Sequence, residues 1–433
     1  LSAIEDALEK VAARRPQLID LGLSRVTRTL DRLDRPHHRL PPTFHVAGTN
    51  GKGSTCAYLR AIIEASGASA HAFISPHLIR YNERIVLAGQ EISDEAFIDA
   101  IKRVDRAAGD DELTFFEAIT CAAFVAFAET PADFLILEVG LGGRLDATNV
   151  LERPLAAVVT PIGLDHMNFL GSTIGAVARE KAGIFRSGAP AVVGVQSEEA
   201  MAALEEAARA AGARYFGYGQ SWSHQIENGR LIYQDEDRLC DLDAPRLVGA
   251  HQFDNAALSV AAIRAAGLSF TDEELSQGVA SARWPARLQP LHEGKIVELI
   301  RAGAPGADVW LDGGHNPHAA LALAAAMADF EDKAPSPLVL VAGMQDNKDA
   351  HGFFFAFAGL ADEVIAVKSH HRAAASEDVI AAAAMGAGLK ARAAASLEDA
   401  ARMAGARGAP LRVLICGSLY LAGEVLSLNE RSD

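Results

Sequence analysis

One stretch limits the folds open to this chain more than any other: FHVAGTNGKGSTCAYLRAIIEAS, residues 44–66. Phe44 to Ala47 is a short apolar run that reads as a buried strand. It breaks into Gly48-Thr49-Asn50-Gly51-Lys52-Gly53-Ser54-Thr55, after which Tyr58, Leu59, Ile62 and Ile63 recur on one side of a helix. Strand, glycine-rich turn and helix are the layout of a phosphate cradle. Glycines let backbone N–H groups approach phosphate oxygens, and the helix N-terminus adds partial positive charge. Lys52 can pair with terminal phosphates, and the hydroxyl of Ser54 or Thr55 can reach a metal ion. Val46 stands where the first glycine of the common P-loop pattern would be, and Gly53 separates Lys52 from the hydroxyl. The competing reading is a flexible turn. The lysine, the hydroxyls and the strand–helix setting together favour nucleotide phosphates.

A chain of 433 residues exceeds one ordinary core, so two domains are expected. Half of the residues are apolar, and the abundance of alanine favours helices. The 40 basic and 56 acidic side chains leave a formal charge of −16, which argues against a nucleic-acid or membrane-surface protein. A local cradle can still hold an anion against that field. Cys56, Cys121, Cys240 and Cys416 form no CxxC pair and are too few for a disulfide framework, which fits a reduced cytoplasm. No apolar run approaches the roughly 18 residues that span a bilayer. LSAIEDALEK reads as an amphipathic start without a signal-peptide pattern.

Taken in order, residues 2–34 read as helical with an interruption at 19–26, and Pro36, Pro41 and Pro42 lead into the first strand. Ala70 to Ile74 is a second strand. SPHLIRYNERI (75–85) is too polar for a core, Ser93 caps a helix, and LTFFEAITCAAFVAFAE (113–129) is a strongly apolar helix. DFLILEV (133–139) and LAAVVT (155–160) read as central parallel strands. Strands alternating with helices imply a parallel sheet covered on both faces. Residues 213–245 suggest a small antiparallel insertion, with helices resuming at 252–266 and 272–282. Trp284-Pro285 breaks the pattern and sets a boundary near 285–291, dividing the chain into 1–288 and 289–433. Strands near 296–300, 308–312, 337–342, 363–367 and 411–416, interleaved with alanine-rich helices, give a second, smaller α/β domain.

Glu138 ends its apolar run and precedes VGLGGRLDATN. A carboxylate at the C-terminal end of a central parallel strand stands where open α/β sheets bind ligands and could hold Mg²⁺; the alternative is an ordinary surface acid. His166, in LDHMN just past the next strand, is open to a structural or a functional reading. Lys181 falls on a helix, where a solvated face is the ordinary place for lysine, and Asn255 is unremarkable by itself. Asp312-Gly-Gly-His315-Asn316-Pro317-His318 follows the strand DVWL and suggests a wall of a cleft between domains. Without a third ligand nearby, His315 and His318 suit hydrogen bonding better than a metal. Arg287, on the linker, can reach phosphate.

The motifs IDLGLSRV, VAGTNGKGST, SPHLIRYNERI, LEVGLGGRLDATN, LDHMNFLG, REKAGIF, HQFDNAA, DGGHNPHA and ICGSLYLAGE occur in this order between about residues 19 and 425. With them the chain resembles the folylpolyglutamate synthase and dihydrofolate synthase family of Mur-type ligases. The resemblance implies a P-loop ATPase domain of Mur-ligase type joined to a smaller, Rossmann-like α/β domain. It implies ATP bound by Thr49, Asn50, Gly51, Lys52, Gly53 and Ser54, with Asn255, Arg287, Asp312 and His315 as further nucleotide contacts. Ser75, Glu138, His166 and Lys181 match metal-holding positions, for two Mg²⁺ ions, with Lys181 carbamylated. Lys52, Lys181 and His166 would be the catalytic groups. Thr114, Phe115, Phe116, Glu117, Leu145, Asp146 and Ala147 match segments near the pterin. Two departures stand out: Ala286 precedes the linker arginine where glycine is usual, and Gly314 replaces a usual alanine.

The implied reaction is ATP-dependent ligation. A substrate carboxylate is phosphorylated to an acyl phosphate, and the amino group of L-glutamate displaces phosphate. The expected acceptors are 7,8-dihydropteroate and reduced folates of the tetrahydrofolate type; a cytoplasmic monomer is the default expectation, with a second domain that would close over the nucleotide. Rival readings are a Mur-type ligase with another carboxylate acceptor and a nucleotide switch without ligation. Loops around Asp346-Asn347-Lys348 and Ser418-Leu419-Tyr420 are candidates for the incoming glutamate.

Overall fold

The apolar run ahead of the glycines forms strand β1 (Thr43–Ala47), buried along its whole length. The computed structural model describes residues 4, 5, 7, 8 and 21–430, so most of the helix expected ahead of residue 19 lies outside the described residues. β1 sits in an eight-stranded sheet with β2 (Ala70–Phe73), β3 (Ile85–Leu87), β4 (Gln90–Glu91), β5 (Phe134–Glu138), β6 (Ala156–Val159), β7 (Pro190–Val193) and β8 (Arg214–Gly217). The order is β4-β3-β2-β5-β1-β6-β7-β8. β1 runs parallel to both neighbours, with Val46 opposite Glu138 on one side and Val158 on the other. That register brings the cradle, Glu138 and the segment after β6 out side by side at the C-terminal edge of the sheet. Among the described residues the antiparallel pairs of this sheet are β2–β3 and β3–β4, at one edge.

Unbroken apolar strands require cover on both faces. Leu135 and Leu137 join a core with Phe97, Ile101, Ile119 and Phe124 from the helices Asp94–Ala108 and Phe115–Glu129. Ala157, Val159 and Val193 join another with Val177, Ala178 and Leu204. The cradle helix, Lys52–Ala65, packs on Asp272–Ser281 so closely that a Cβ on Gly278 would fall 2.4 Å from Ile62 Cα. The expected insertion is a three-stranded antiparallel sheet of β9 (Trp222–Glu227), β10 (Arg230–Asp235) and β11 (Leu239–Leu242). Its first hairpin turns at Asn228-Gly229, both at positive φ, as a two-residue turn demands. Residues 214–217, read from sequence as part of this insertion, instead form β8 of the main sheet.

The chain divides into Leu1–Arg246 with Gln252–Arg283, and Leu247–His251 with Trp284–Asp433. The second unit holds a six-stranded sheet of β12 (Gln289–Leu291), β13 (Asp308–Leu311), β14 (Leu338–Ala342), β15 (Glu363–Val367), β16 (Ala391–Ala394) and β17 (Arg412–Cys416). Its order is β12-β13-β17-β14-β15-β16, parallel except for β12.

Some expectations fail for identifiable reasons. The strand expected near 296–300 is a helix, Lys295–Gly303, because Ile296, Val297 and Ile300 bury one helical face despite their β-branched side chains. The interruption expected over 19–26 ends early, since Ser24–Arg32 is helical. The segment judged too polar for a core is mostly half-buried, but two of its polar residues are inside: Asn82 Nδ2 donates to Ile92 O and Asp94, while Arg84 donates to His77 Nδ1 and lies over the Phe115 ring. Its polar groups enter the interior because they arrive with partners.

Candidate active site

The cradle is built from a left-handed turn. Gly51 caps the Lys52–Ala65 helix at φ +85°, and no side chain caps its first-turn N–H groups. Those donors are what an anion takes at a helix start. A Cβ on Gly51 would fall 2.4 Å from Asn255 Oδ1, and one on Gly48 would fall 1.8 Å from Thr160 Oγ1. Both positions are therefore closed to larger residues. Thr49 N and Asn50 N donate to Pro161 O, and Thr49 Oγ1 donates to Gly163 O at 3.0 Å, which stitches the turn to the loop after β6. Lys52 Nζ is folded back on Gly48 O at 3.2 Å and Thr49 O at 3.4 Å. Ser54 Oγ and Thr55 Oγ1 are buried without a hydrogen-bond partner. Such groups need an explanation, and a ligand oxygen or cation supplies one.

Glu138 is buried at the end of β5, and its Oε2 accepts a hydrogen bond from Ser75 N at 3.0 Å, bringing two of the expected metal positions together. Burial pushes the Cys56 thiol well up; Glu138 adds to this and Lys52 opposes it, so carboxylate and ammonium act on the same side chain. His166 takes a left-handed φ of +51° as it starts a short turn of helix, Met167–Leu170. Its Nε2 lies 3.8 Å from Asp165 Oδ1. Among the described residues no three His, Cys, Asp or Glu side chains form a metal cluster.

Lys181 overturns its ordinary reading. It lies on the helix Ile174–Ala182 but is 4% exposed, and its Nζ donates to Gly48 O at 2.8 Å. Two lysine amines thus converge on one carbonyl of the cradle turn. Burial and then the charge of Lys52 lower the Lys181 pKa to about 7, opposed by Asp165 and Asp146. A cation in that position is poorly paired, so the neutral amine is within reach at physiological pH. The helical pattern does not mark the burial of Lys181, because its acceptor Gly48 O comes from a loop 133 residues away in the chain.

The expected substrate segments are structurally occupied in different ways. Thr114 caps the Phe115–Glu129 helix, and Glu117 completes a capping box with it. Arg25, from the IDLGLSRV segment, donates from Nε to both Glu117 oxygens at 3.2 Å and from Nη2 to Oε1 at 2.8 Å. Glu117 therefore shapes the helix start, a pairing the sequence did not reveal. Phe116 lies against Gly140, where a Cβ would meet its ring at 2.4 Å, and Phe115 faces Tyr81 with ring centroids 5.7 Å apart. Asp146 is buried between Leu145 and Ala147. Burial raises its pKa, while donors from Thr148, Leu141 and Gly140 pull it down.

In the second unit, Asp312 follows β13 and accepts from Leu288 N at 2.8 Å and Gly314 N at 2.6 Å. A Cβ on Gly314 would fall 2.9 Å from Asp312 Oδ1. His315 Nδ1 lies 3.0 Å from Gly313 O, and Asn316 caps the helix Pro317–Lys333. Arg287 Nη1 donates to Ala286 O at 2.8 Å. Asn255 belongs to the first unit, against the cradle; Arg287, Asp312 and His315 belong to the second.

Comparison with known proteins agrees with this geometry. The Mur ligase middle domain model matches residues 46–263, and the model named Mur ligase, glutamate ligase domain, matches residues 297–419. The dihydrofolate synthase/folylpolyglutamate synthase of Escherichia coli (strain K12) is 36% identical over 414 residues, 95% of this chain and 92% of that protein. The structure of E. coli FolC in complex with DHPP and ADP superposes with a TM-score of 0.89 at 34% identity, covering 100% of this chain and 98% of that one. A bifunctional folylpolyglutamate synthase/dihydrofolate synthase structure with Mn, AMPPNP and L-glutamate bound gives a TM-score of 0.84 at 33% identity, covering 97% of each chain.

Proposed function

The chain belongs to the dihydrofolate synthase/folylpolyglutamate synthase family of Mur ligases, and on that premise we propose that it joins L-glutamate to 7,8-dihydropteroate and to tetrahydrofolate-type acceptors, with cleavage of ATP. The observation that carries this reading is the convergence of Lys52 and Lys181 on Gly48 O beside an uncapped helix N-terminus. Phosphate oxygens would draw Lys52 away from its carbonyl acceptors and receive the uncapped first-turn N–H groups of the Lys52–Ala65 helix. The γ-phosphoryl group passes to the acceptor carboxylate, giving ADP and an acyl phosphate. The glutamate amine attacks that carbonyl carbon, loses a proton and expels phosphate. The protein's work is alignment and neutralisation of charge.

Ser75, Glu138, His166 and Lys181 would hold divalent metal, read here as two Mg²⁺ ions. The buried Glu138 carboxylate and the unpartnered Ser54 and Thr55 hydroxyls are the hard oxygen donors that suit such a cation. When bound, the metal neutralises charge on the transferring phosphoryl group. Lys181, if carbamylated by attack of its neutral amine on CO₂ with loss of a proton, supplies an anion in place of a poorly paired cation. Its burial supports this reading. Asn255, Arg287, Asp312 and His315 contact the nucleotide in the same reading. The segments Thr114–Glu117 and 145–147 face the pterin.

The incoming glutamate is assigned to the loops at Asp346–Lys348 and Ser418–Tyr420. They follow the neighbouring strands β14 and β17, and Tyr420 stacks on His371 at 3.8 Å. The four cysteines are all buried free thiols, which supports a reduced, cytoplasmic setting.

ADP release measured side by side with dihydropteroate and tetrahydrofolate is expected to require glutamate and at least one of the two acceptors. Lys52→Ala is expected to lower it by about 100-fold or more. Turnover independent of glutamate, or normal turnover in Lys52→Ala, would overturn the reading.

A further inference from the structure

Strand β1 carries a histidine where an apolar residue would serve the core. His45 is buried and shares a sheet face with Leu137 and Ala157 through the register of β1. Its Nε2 lies 2.9 Å from the hydroxyl oxygen of Thr148, which is itself fully buried. Thr148 in turn gives Asp146 Oδ1 its hydroxyl at 2.5 Å and its backbone N–H at 3.0 Å. Leu141 N donates to Asp146 Oδ2 at 2.8 Å, and Gly140 N–H adds a fourth donor. Four donors aimed at two oxygens mark Asp146 as the acceptor. A hydroxyl has one proton, and Thr148 spends it on Asp146; its oxygen must then accept from His45. The histidine proton is thereby assigned to Nε2. Nδ1 is left as a bare lone pair, and that atom is indeed buried without a partner.

We infer that His45 is a positioning residue for the acceptor substrate: its Nε2–H fixes Thr148, Thr148 fixes Asp146, and Asp146 gathers the backbone of the 140–148 loop. The inference rests on the assignment of the segment 145–147 to the acceptor. A hydrocarbon at position 45 removes the donor that orients the Thr148 hydroxyl, and the hydroxyl is then free to turn from Asp146. The loop keeps its backbone bonds but loses the anchor that ties it to β1, so acceptor binding suffers while the cradle turn, held through Pro161 and Gly163, does not.

The test is steady-state kinetics of the full chain carrying His45→Leu, Thr148→Val or His45→Gln, with folding checked by thermal unfolding. His45→Leu and Thr148→Val are each expected to raise KM for dihydropteroate about 10-fold and to leave KM for ATP within about 2-fold. The double variant is expected to be no worse than either single change, since both break one chain of bonds. Glutamine can place an amide N–H where the imidazole Nε2 stands, so His45→Gln is expected to recover KM to within about 3-fold. In the wild-type protein, ¹⁵N NMR should report a neutral ring protonated at Nε2, a readout independent of variant folding. An Nδ1–H tautomer, an unmoved dihydropteroate KM in His45→Leu, equal rises in both KM values, or no rescue by glutamine would overturn the inference. Absence of dihydropteroate-dependent turnover in the wild-type protein would instead sink the acceptor assignment, and the tautomer would still decide the hydrogen-bond chain.

Discussion

At the scale of single residues, burial changes what familiar side chains can do. Lys181 is a helix lysine, yet its amine lies inside the protein on a cradle carbonyl. If that amine must become a carbamate, arginine cannot replace it. Lys181→Arg keeps the charge and is expected to lose about 100-fold or more in turnover; a variant with near-normal turnover would dismiss carbamylation. The buried imidazole of His45 gives the pH dependence. Burial, and secondarily Arg186, lowers its pKa from 6.5 to about 3. Below pH 6.5 the unfolded chain takes up a proton that the folded chain refuses. Stability is therefore full above that pH and is lost as pH falls toward 3. His37, pushed down to about 4 by burial, acts in the same direction. One such histidine costs about 1.5 kcal/mol between pH 6.5 and 5. Urea midpoints at those two pH values should separate in the wild-type protein and separate less in His45→Gln. Equal separations would count against a buried neutral ring.

At the scale of elements, the linker after Arg283 explains one departure from the family pattern. Ala286 sits at φ +55°, in the left-handed region that glycine adopts freely and alanine does not. The αL conformation costs alanine about 1–2 kcal/mol, and glycine costs about 0.5–1 kcal/mol in unfolded-chain entropy. Ala286→Gly is thus expected to raise stability by up to about 1 kcal/mol in urea unfolding; a loss would mean the backbone there is not strained. The same scale shows what could be read from sequence. The cradle, β5 and the apolar helix at 115–129 were legible because their periodicity is local. The helix at 295–303 was not, since its three β-branched residues imitate a strand when its buried face is unknown. β7 and β16 are too short to stand out from sequence, and β8 merges with the insertion that follows it. The Arg25–Glu117 and His45–Thr148 contacts span 92 and 103 residues, a separation that no motif encodes.

At the scale of the whole chain, a protein of net charge −16 gathers two lysine amines and an uncapped helix start at one sheet edge. The acidic balance repels polyanions broadly, while a few oriented donors can hold one small anion. Among the described residues no helix is long and apolar enough to cross a membrane. The parallel register puts cradle, Glu138 and the His166 loop together without any of them being near in sequence. Order and chemistry of the motifs are visible from residues alone, and so is the placing of Glu138 and His166 at strand ends of one sheet; which strands are neighbours is not, because register is a tertiary fact. If ATP held at this edge phosphorylates an acid before glutamate arrives, an oxygen of that acid must leave with the phosphate. Dihydropteroate labelled with ¹⁸O in its carboxylate, turned over with ATP and glutamate, is therefore expected to yield inorganic phosphate carrying one ¹⁸O atom. Unlabelled phosphate from a reaction that still forms the amide would show that no acyl phosphate is made.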